Sequence, residues 1–98
     1  MPIERLDPGL DAIVSPDADW EELGRGYGGP TGPAEGPVWF AEGGYLLFSD
    51  IHNSRRMRWD PEQGVTVDKE DTKNGNGQTR DREGRLVVCH HFSRCVDR

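Results

Sequence analysis

Ala34-Glu35-Gly36-Pro37-Val38-Trp39-Phe40 is the stretch on which the rest of the chain depends. A carboxylate stands directly before Gly-Pro, and an apolar run rich in strand-forming residues follows at once. Forty-one positions after Glu35 a second version of the arrangement begins, Asn76-Gly77-Gln78-Thr79. Two side chains that carry oxygen thus introduce two successive stretches of the same kind.

Outward from the first stretch, turns and short strands alternate. Pro37 to Phe40 reads as a strand, Ala41-Glu42-Gly43-Gly44 as a tight turn, and Tyr45-Leu46-Leu47-Phe48-Ser49 as a strand covered on both faces. Asp50 to Ser54 is expected to be a loop. Arg56-Met57-Arg58-Trp59 alternates polar with apolar, as a half-buried strand does. Asp60-Pro61-Glu62-Gln63-Gly64 has Pro early and Gly late, the order a turn favours, and Val65-Thr66-Val67 is a fourth strand. After a polar loop over 68–75 the pattern restarts: a strand over Gly77–Arg80, a turn over Asp81–Gly84, a strand over Arg85–Cys89, a loop over His90–Ser93, and a third strand beginning at Arg94-Cys95-Val96.

The two halves match side by side. Gly44-Tyr45-Leu46-Leu47-Phe48 aligns with Gly84-Arg85-Leu86-Val87-Val88 at a shift of 40, and His52-Asn53-Ser54-Arg55 with His91-Phe92-Ser93-Arg94 at a shift of 39. A four-stranded unit of about 40 residues is the size of a propeller blade. The competing architecture is a sandwich or partial barrel of five to seven strands. Repeat arrays need about three units for stability, so one full unit and part of a second imply a fragment, or a partner that covers the open sheet edges.

Residues 1–34 read as a leader. Asp7-Pro8-Gly9 and Ser15-Pro16-Asp17 are turn signals, and Leu10, Ile13 and Val14 are candidates to cap a core. Trp20-Glu21-Glu22-Leu23 suits an edge strand or a helical turn. From Gly24 to Gly32, five glycines and Pro30 exclude regular structure. The whole chain has 98 residues, 33% hydrophobic and 31% charged, with a net charge of −6. That is one small domain with little to bury. The acidic balance speaks against nucleic acid and against an anionic membrane surface. No apolar run spans a bilayer, and Met1-Pro2-Ile3-Glu4 lacks the features of a signal peptide, so the expected compartment is the cytoplasm. Two cysteines, Cys89 and Cys95, are too few for a disulfide framework.

In a propeller the first strand of each blade lies nearest the central channel. Glu35 and Asn76, each just before such a strand, would then meet at one end of it. A carboxylate and an amide oxygen are hard donors suited to Ca²⁺, Mg²⁺ or Mn²⁺; the plainer reading makes Glu35 a loop residue and Asn76-Gly77 a turn. Cys89, His90, His91 and Cys95 invite a zinc reading, but their spacing fits no ordinary ligand pair, and Cys89 reads instead as a small buried hydrophobe. The arginines from Arg55 to Arg98 are interleaved with acids and read as a solvated surface.

Glu35-Gly36-Pro37-Val38-Trp39, Gly44-Tyr45-Leu46-Leu47-Phe48-Ser49-Asp50-Ile51 and Asn76-Gly77-Gln78-Thr79-Arg80-Asp81-Arg82-Glu83-Gly84-Arg85-Leu86-Val87-Val88-Cys89 together resemble the SMP-30/gluconolactonase/luciferin-regenerating-enzyme family, its bacterial gluconolactonase branch above all. Gly9 to Ala18 is similar to the segment preceding blade one there. The resemblance implies an all-β chain forming part of a six-bladed β-propeller: the leader, residues 1–34, then about one and a half four-stranded antiparallel blades over 35–98. It implies a divalent cation, Ca²⁺ first with Mg²⁺, Mn²⁺ or Zn²⁺ as alternatives, and a sugar lactone as substrate. Glu35 matches the family's first metal ligand, and Asn76 the asparagine that contacts substrate or, in some relatives, metal. Two positions depart from the pattern: His90 stands where bacterial relatives carry Glu, and Asn74 where animal relatives carry Arg. The pattern also fades from Phe92 to Arg98, as a shifted or stopped reading frame would make it. The expectation is a lactonase lineage inactive as this chain alone; its rival is a non-catalytic module that pairs its open edges with another chain or with copies of itself.

Overall fold

A computed structural model describes residues 3–98. Met1 and Pro2, the start of the stretch read for a signal peptide, lie outside them. Two antiparallel sheets account for the regular structure. Sheet A runs β1 (Ala34–Phe40), β2 (Tyr45–Asp50), β3 (Arg55–Asp60) and β4 (Gly64–Glu70) in sequence order; sheet B runs β5 (Gly75–Arg80), β6 (Leu86–His90) and β7 (Cys95–Asp97). Both are meanders, because the connections are too short for any strand to cross another. Among the described residues no helix is long and apolar enough to cross a membrane.

The turns form where the sequence places them, and acidic side chains hold them. Asp60 Oδ1 accepts from the amides of Glu62 and Gln63, both at 2.9 Å, which closes the β3–β4 turn. Asp81 Oδ1 does the same for Glu83 and Arg85, both at 2.9 Å, between β5 and β6. Such bonds to the charged form hold each carboxyl below its ordinary value, by way of the Gln63 amide first at Asp60 and the Arg85 side chain first at Asp81.

Strand alternation gives sheet A two faces. Trp39, Leu46, Phe48, Met57, Trp59, Val65 and Val67 share one, by pairings such as Trp39 with Leu46 and Phe48 with Met57. The leader covers part of this face: Tyr27 meets Phe48 edge to face, ring centres 5.3 Å apart. The other face carries Val38, Phe40, Tyr45, Leu47 and Ser49 and turns toward sheet B. There a column of four groups joins the sheets: Arg58 over Tyr45 at 4.1 Å, Tyr45 stacked on Phe40 at 4.9 Å, and Arg80 of sheet B over Phe40 at 4.2 Å. The buried hydrophobic residues are few: Phe40, Leu47, Ile51, Met57 and Val88.

Several expectations are corrected. β1 begins at Ala34 and β5 at Gly75, earlier than read, because the ladder continues across a bulge in each strand. β4 runs on to Glu70, past the expected loop start, through a further bulge at Asp68, opposite Arg56 and Met57 of β3. Residues 20–23 form neither strand nor helix, and Trp20 is exposed. Asp7 caps a 3₁₀ turn over Pro8–Ala12, and Ile13 in the leader is 82% exposed, so it caps nothing. Cys89 is exposed rather than buried, and both cysteines are free.

Candidate functional site

The site is built from the adjoining edges of the two sheets, where β1 lies beside β5. Its foundation is a pair of buried polar residues at the end of β2. Ser49 pairs with Glu35 across the ladder, and Asp50 with Ala34. Ser49 Oγ then reaches over to the second sheet and donates to the main-chain carbonyl of Asn76 at 2.7 Å. One residue therefore holds the register of Glu35 and the backbone of Asn76 together.

Two further contacts close the junction. Gln78 Nε2 donates to Gly36 O at 2.8 Å. Gly36 adopts φ +65°, and a Cβ there would come within 2.6 Å of Asn76 O. Only glycine meets both demands, positive φ and close approach of another backbone. The Gly-Pro after Glu35 thus has a definite cause: it lets the first strand of one sheet touch the first strand of the next.

Asp50 anchors the leader to this junction. Its carboxylate is fully buried and accepts from Gly28 N at 2.8 Å, from Asn53 Nδ2 at 3.0 Å and 3.1 Å, and from Arg55 Nη2 at 2.6 Å. Burial pushes the Asp50 carboxyl up, but Arg55, the Gly28 amide and Asn53 outweigh it and hold the group below the ordinary aspartate value. Gly28 can donate because its φ of +79° turns the leader back on itself.

The two residues singled out from the sequence stand on either side of the junction. The Glu35 side chain is exposed and makes no hydrogen bond or ion pair among the described residues. Asn76 is half-buried, and its Oδ1 accepts from Gly77 N at 2.7 Å. Their structural equivalence needs correcting. The bulges lie between Glu35 and Val38 in β1 and between Gly75 and Gln78 in β5, an offset of forty positions at both ends. Glu35 therefore corresponds to Gly75, and Asn76 to Gly36; the two side chains leave their strands one residue apart in register.

The donor chemistry fits a hard cation: one unpaired carboxylate and one amide oxygen, on strands held side by side. It fits in kind and falls short in number, since Ca²⁺ takes six to eight oxygens. Among the described residues no group of three or more His, Cys, Asp or Glu could hold a metal ion, which leaves the Cys89, His90, His91 and Cys95 cluster without a zinc geometry. His90, at the position that departs from the bacterial pattern, holds loop to strand instead: its Nδ1 lies 2.8 Å from Thr72 O, and its Nε2 3.0 Å from Asp97 Oδ1. Asn74, the other departure, is buried, and its main-chain N–H donates to Ser54 Oγ at 3.2 Å.

Comparison with known proteins gives consistent results. Residues 33–97 match the model of the SMP-30/gluconolactonase/LRE-like region. The match passes Phe92, where the sequence pattern was expected to fade, and starts after most of the leader. A gluconolactonase of Zymomonas mobilis is 34% identical over 65 residues, covering 66% of this chain and 17% of that protein. The solved structure of a gluconolactonase from Xanthomonas campestris superposes with a TM-score of 0.60 at 33% identity, over 64% of this chain and 21% of that one. The chain spans about a fifth of the length of these relatives.

Proposed function

The chain belongs to the SMP-30/gluconolactonase/LRE-like family, and from that premise we propose that it carries one rim of a site at which a sugar lactone is opened with the help of a divalent cation. The relatives named above are gluconolactonases; the first sheet has the four-stranded meander order of a propeller blade, and the second has three strands in that same order. The observation that carries the reading is the junction at Gly36. It sets the exposed carboxylate of Glu35 next to the strand of Asn76, with Ser49 and Gln78 as cross-ties.

In this reading Glu35 supplies a charged oxygen to the cation and Asn76 a neutral one. When bound, a divalent cation polarises a carbonyl and lowers the pKa of coordinated water. In the reaction water adds to the lactone carbonyl carbon, the ring C–O bond breaks, and a proton from that water passes to the freed ring oxygen, giving a hydroxy acid. The work of this chain's residues is placement. Ser49 fixes both strands, and Asp50 ties the leader to the end of β2 through Gly28, beside Asn53 and Arg55. Two donors leave most of a cation's coordination unfilled, so the chain by itself opens lactones no faster than solvent.

The test uses a graft. Residues 33–97 replace the matching segment of the Zymomonas gluconolactonase, and lactone opening is followed by acid release with Ca²⁺, Mg²⁺, Mn²⁺ or Zn²⁺ present. The isolated chain is expected to be inactive and the graft active, with Glu35→Gln in the graft lowering kcat by roughly a hundredfold or more. A graft whose activity survives Glu35→Gln would overturn the assignment.

A further inference from the structure

The two sheets differ by one strand, and the difference leaves two unlike free edges. Among the described residues β4 and β7 are the strands with a neighbour on one side only, since β1 and β5 lie beside each other. β7 is the counterpart of β3. Asp50, Ser49 and Phe48 pair with Arg55, Arg56 and Met57, and forty positions later His90, Cys89 and Val88 pair with Cys95, Val96 and Asp97. β3 carries β4 on its outer side, antiparallel. β7 has no such neighbour among the described residues, and Cys95, Val96 and Asp97 are all exposed. The second half of β4, Val67 to Glu70, is exposed as well. An unpaired strand edge is a template for one more strand.

Charge decides which edge meets which. Arg94 and Arg98 flank β7, Glu70 ends β4, and none of the three side chains has a hydrogen bond or ion pair among the described residues. Two β7 edges laid antiparallel about Val96 would set Arg94 of each copy opposite Arg98 of the other. Like charges placed so are destabilising. Two β4 edges laid about Val67 would set Glu70 against the Gly64–Val65 end of the other copy, which carries no charge. Only the mixed pairing joins unpaired charges of opposite sign. With β4 antiparallel to β7 and Val67 beside Val96, which is 63% exposed, Arg94 comes to the Glu70 end of β4 and Arg98 to the Val65 end.

We propose that the partner of the β7 edge is a second copy of this chain, which adds its β4 antiparallel as a fourth strand and pairs its Glu70 with Arg94. Val96 and Val67, both exposed in the single copy, then cover each other. The two edges are different, so the contact is head to tail: every copy that joins brings one more β4 edge and one more β7 edge. Association by the bare apolar face of sheet A would not depend on these charges, and pairing of like edges would depend on them differently. The three modes therefore separate by experiment.

The experiment is sedimentation equilibrium of the whole chain over a range of concentrations, with reductant present so that Cys89 and Cys95 stay thiols. The parent is expected to associate. Arg94→Glu alone and Glu70→Arg alone should each weaken association roughly tenfold, because an attraction across the strands becomes a repulsion. Mixed in equal amounts the two variants should associate as the parent does, since each supplies the edge charge that the other lacks. Arg98→Glu alters net charge by the same amount as Arg94→Glu and should leave association intact. All three changes are at exposed positions, and an amide spectrum matching the parent away from the edges checks that the fold is kept. A parent that stays monomeric would overturn the proposal. So would single variants that associate like the parent, a mixture that does not recover, or a loss caused by Arg98→Glu. Neither metal nor lactone is present, so the result does not depend on the lactone-opening reading.

Discussion

Asp50 is the residue on which most of the local order rests, and the sequence hides it. It follows an apolar run and precedes a polar stretch, so it looks like the first residue of a loop. Its role depends on Gly28, twenty-two residues earlier, and no pattern along the chain announces a partner at that distance. The triple Asp50, Asn53 and Arg55 is the only local hint. Removing one member of a buried pair strands the other, so Asp50→Ala is expected to cost about 3–5 kcal/mol in urea unfolding. The effect of pH has a definite sign. The folded Asp50 carboxyl sits below its ordinary value, so its contribution is complete above the unfolded pKa of about 3.9. It is lost as pH falls through that value toward the folded one. Stability measured from pH 6 down to pH 3 should fall less steeply in Asp50→Asn than in the parent; Glu42, Asp60 and Asp81, shifted the same way, leave a residual slope. Identical slopes would remove Asp50 from the account. Glu35 drew notice in the sequence for the opposite reason: an acid immediately before Gly-Pro and an apolar run stands out without knowledge of anything distant.

At the scale of strands and turns the sequence was largely readable. Alternation at Arg56–Trp59, the Gly-Gly turn at Gly43-Gly44 and the Asp-Pro turn at Asp60-Pro61 each act within a few residues, and each element lies where they place it. The bulges were not readable, because a bulge is a relation between two strands, and they moved the starts of β1 and β5 and the end of β4. They also shifted Asn76 one residue from the place a simple count gave it. The first bulge exists so that Gly36 can approach Asn76 O. Gly36→Ala is therefore expected to cost about 1–3 kcal/mol from positive φ alone, with the clash against Asn76 O in addition. Its amide spectrum should change at Asn76 and Gln78 while the β3–β4 turn at Asp60 is unaffected. A neutral Gly36→Ala would show that the two first strands are not held as described.

For the molecule as a whole, burial is the weak point. Among the described residues only five hydrophobic side chains are buried, and the Cα radius of gyration of 15.2 Å exceeds the roughly 13 Å of a compact domain of this length. Trp39 and Val67 are 51% and 44% exposed on the apolar face of sheet A, and β4 and β7 are open edges. The low hydrophobic content foretold this shortage; which face would stay bare depended on how far the leader reached. Light scattering is expected to give a mass above 11.0 kDa that rises with concentration, and Val67→Lys on the β4 edge should reduce it; a monomer at every concentration would contradict the expectation. The central claim concerns Glu35 and Asn76, and the most direct test is paramagnetic broadening by Mn²⁺ in the NMR spectrum of the intact chain, which detects weak sites. Signals of Glu35, Gly36, Asn76 and Gly77 should broaden together and before all others, and Glu35→Gln should abolish the effect at Asn76. Broadening that begins at Asp68 to Asp71 or at Glu21 and Glu22, while those four signals stay sharp, would contradict it.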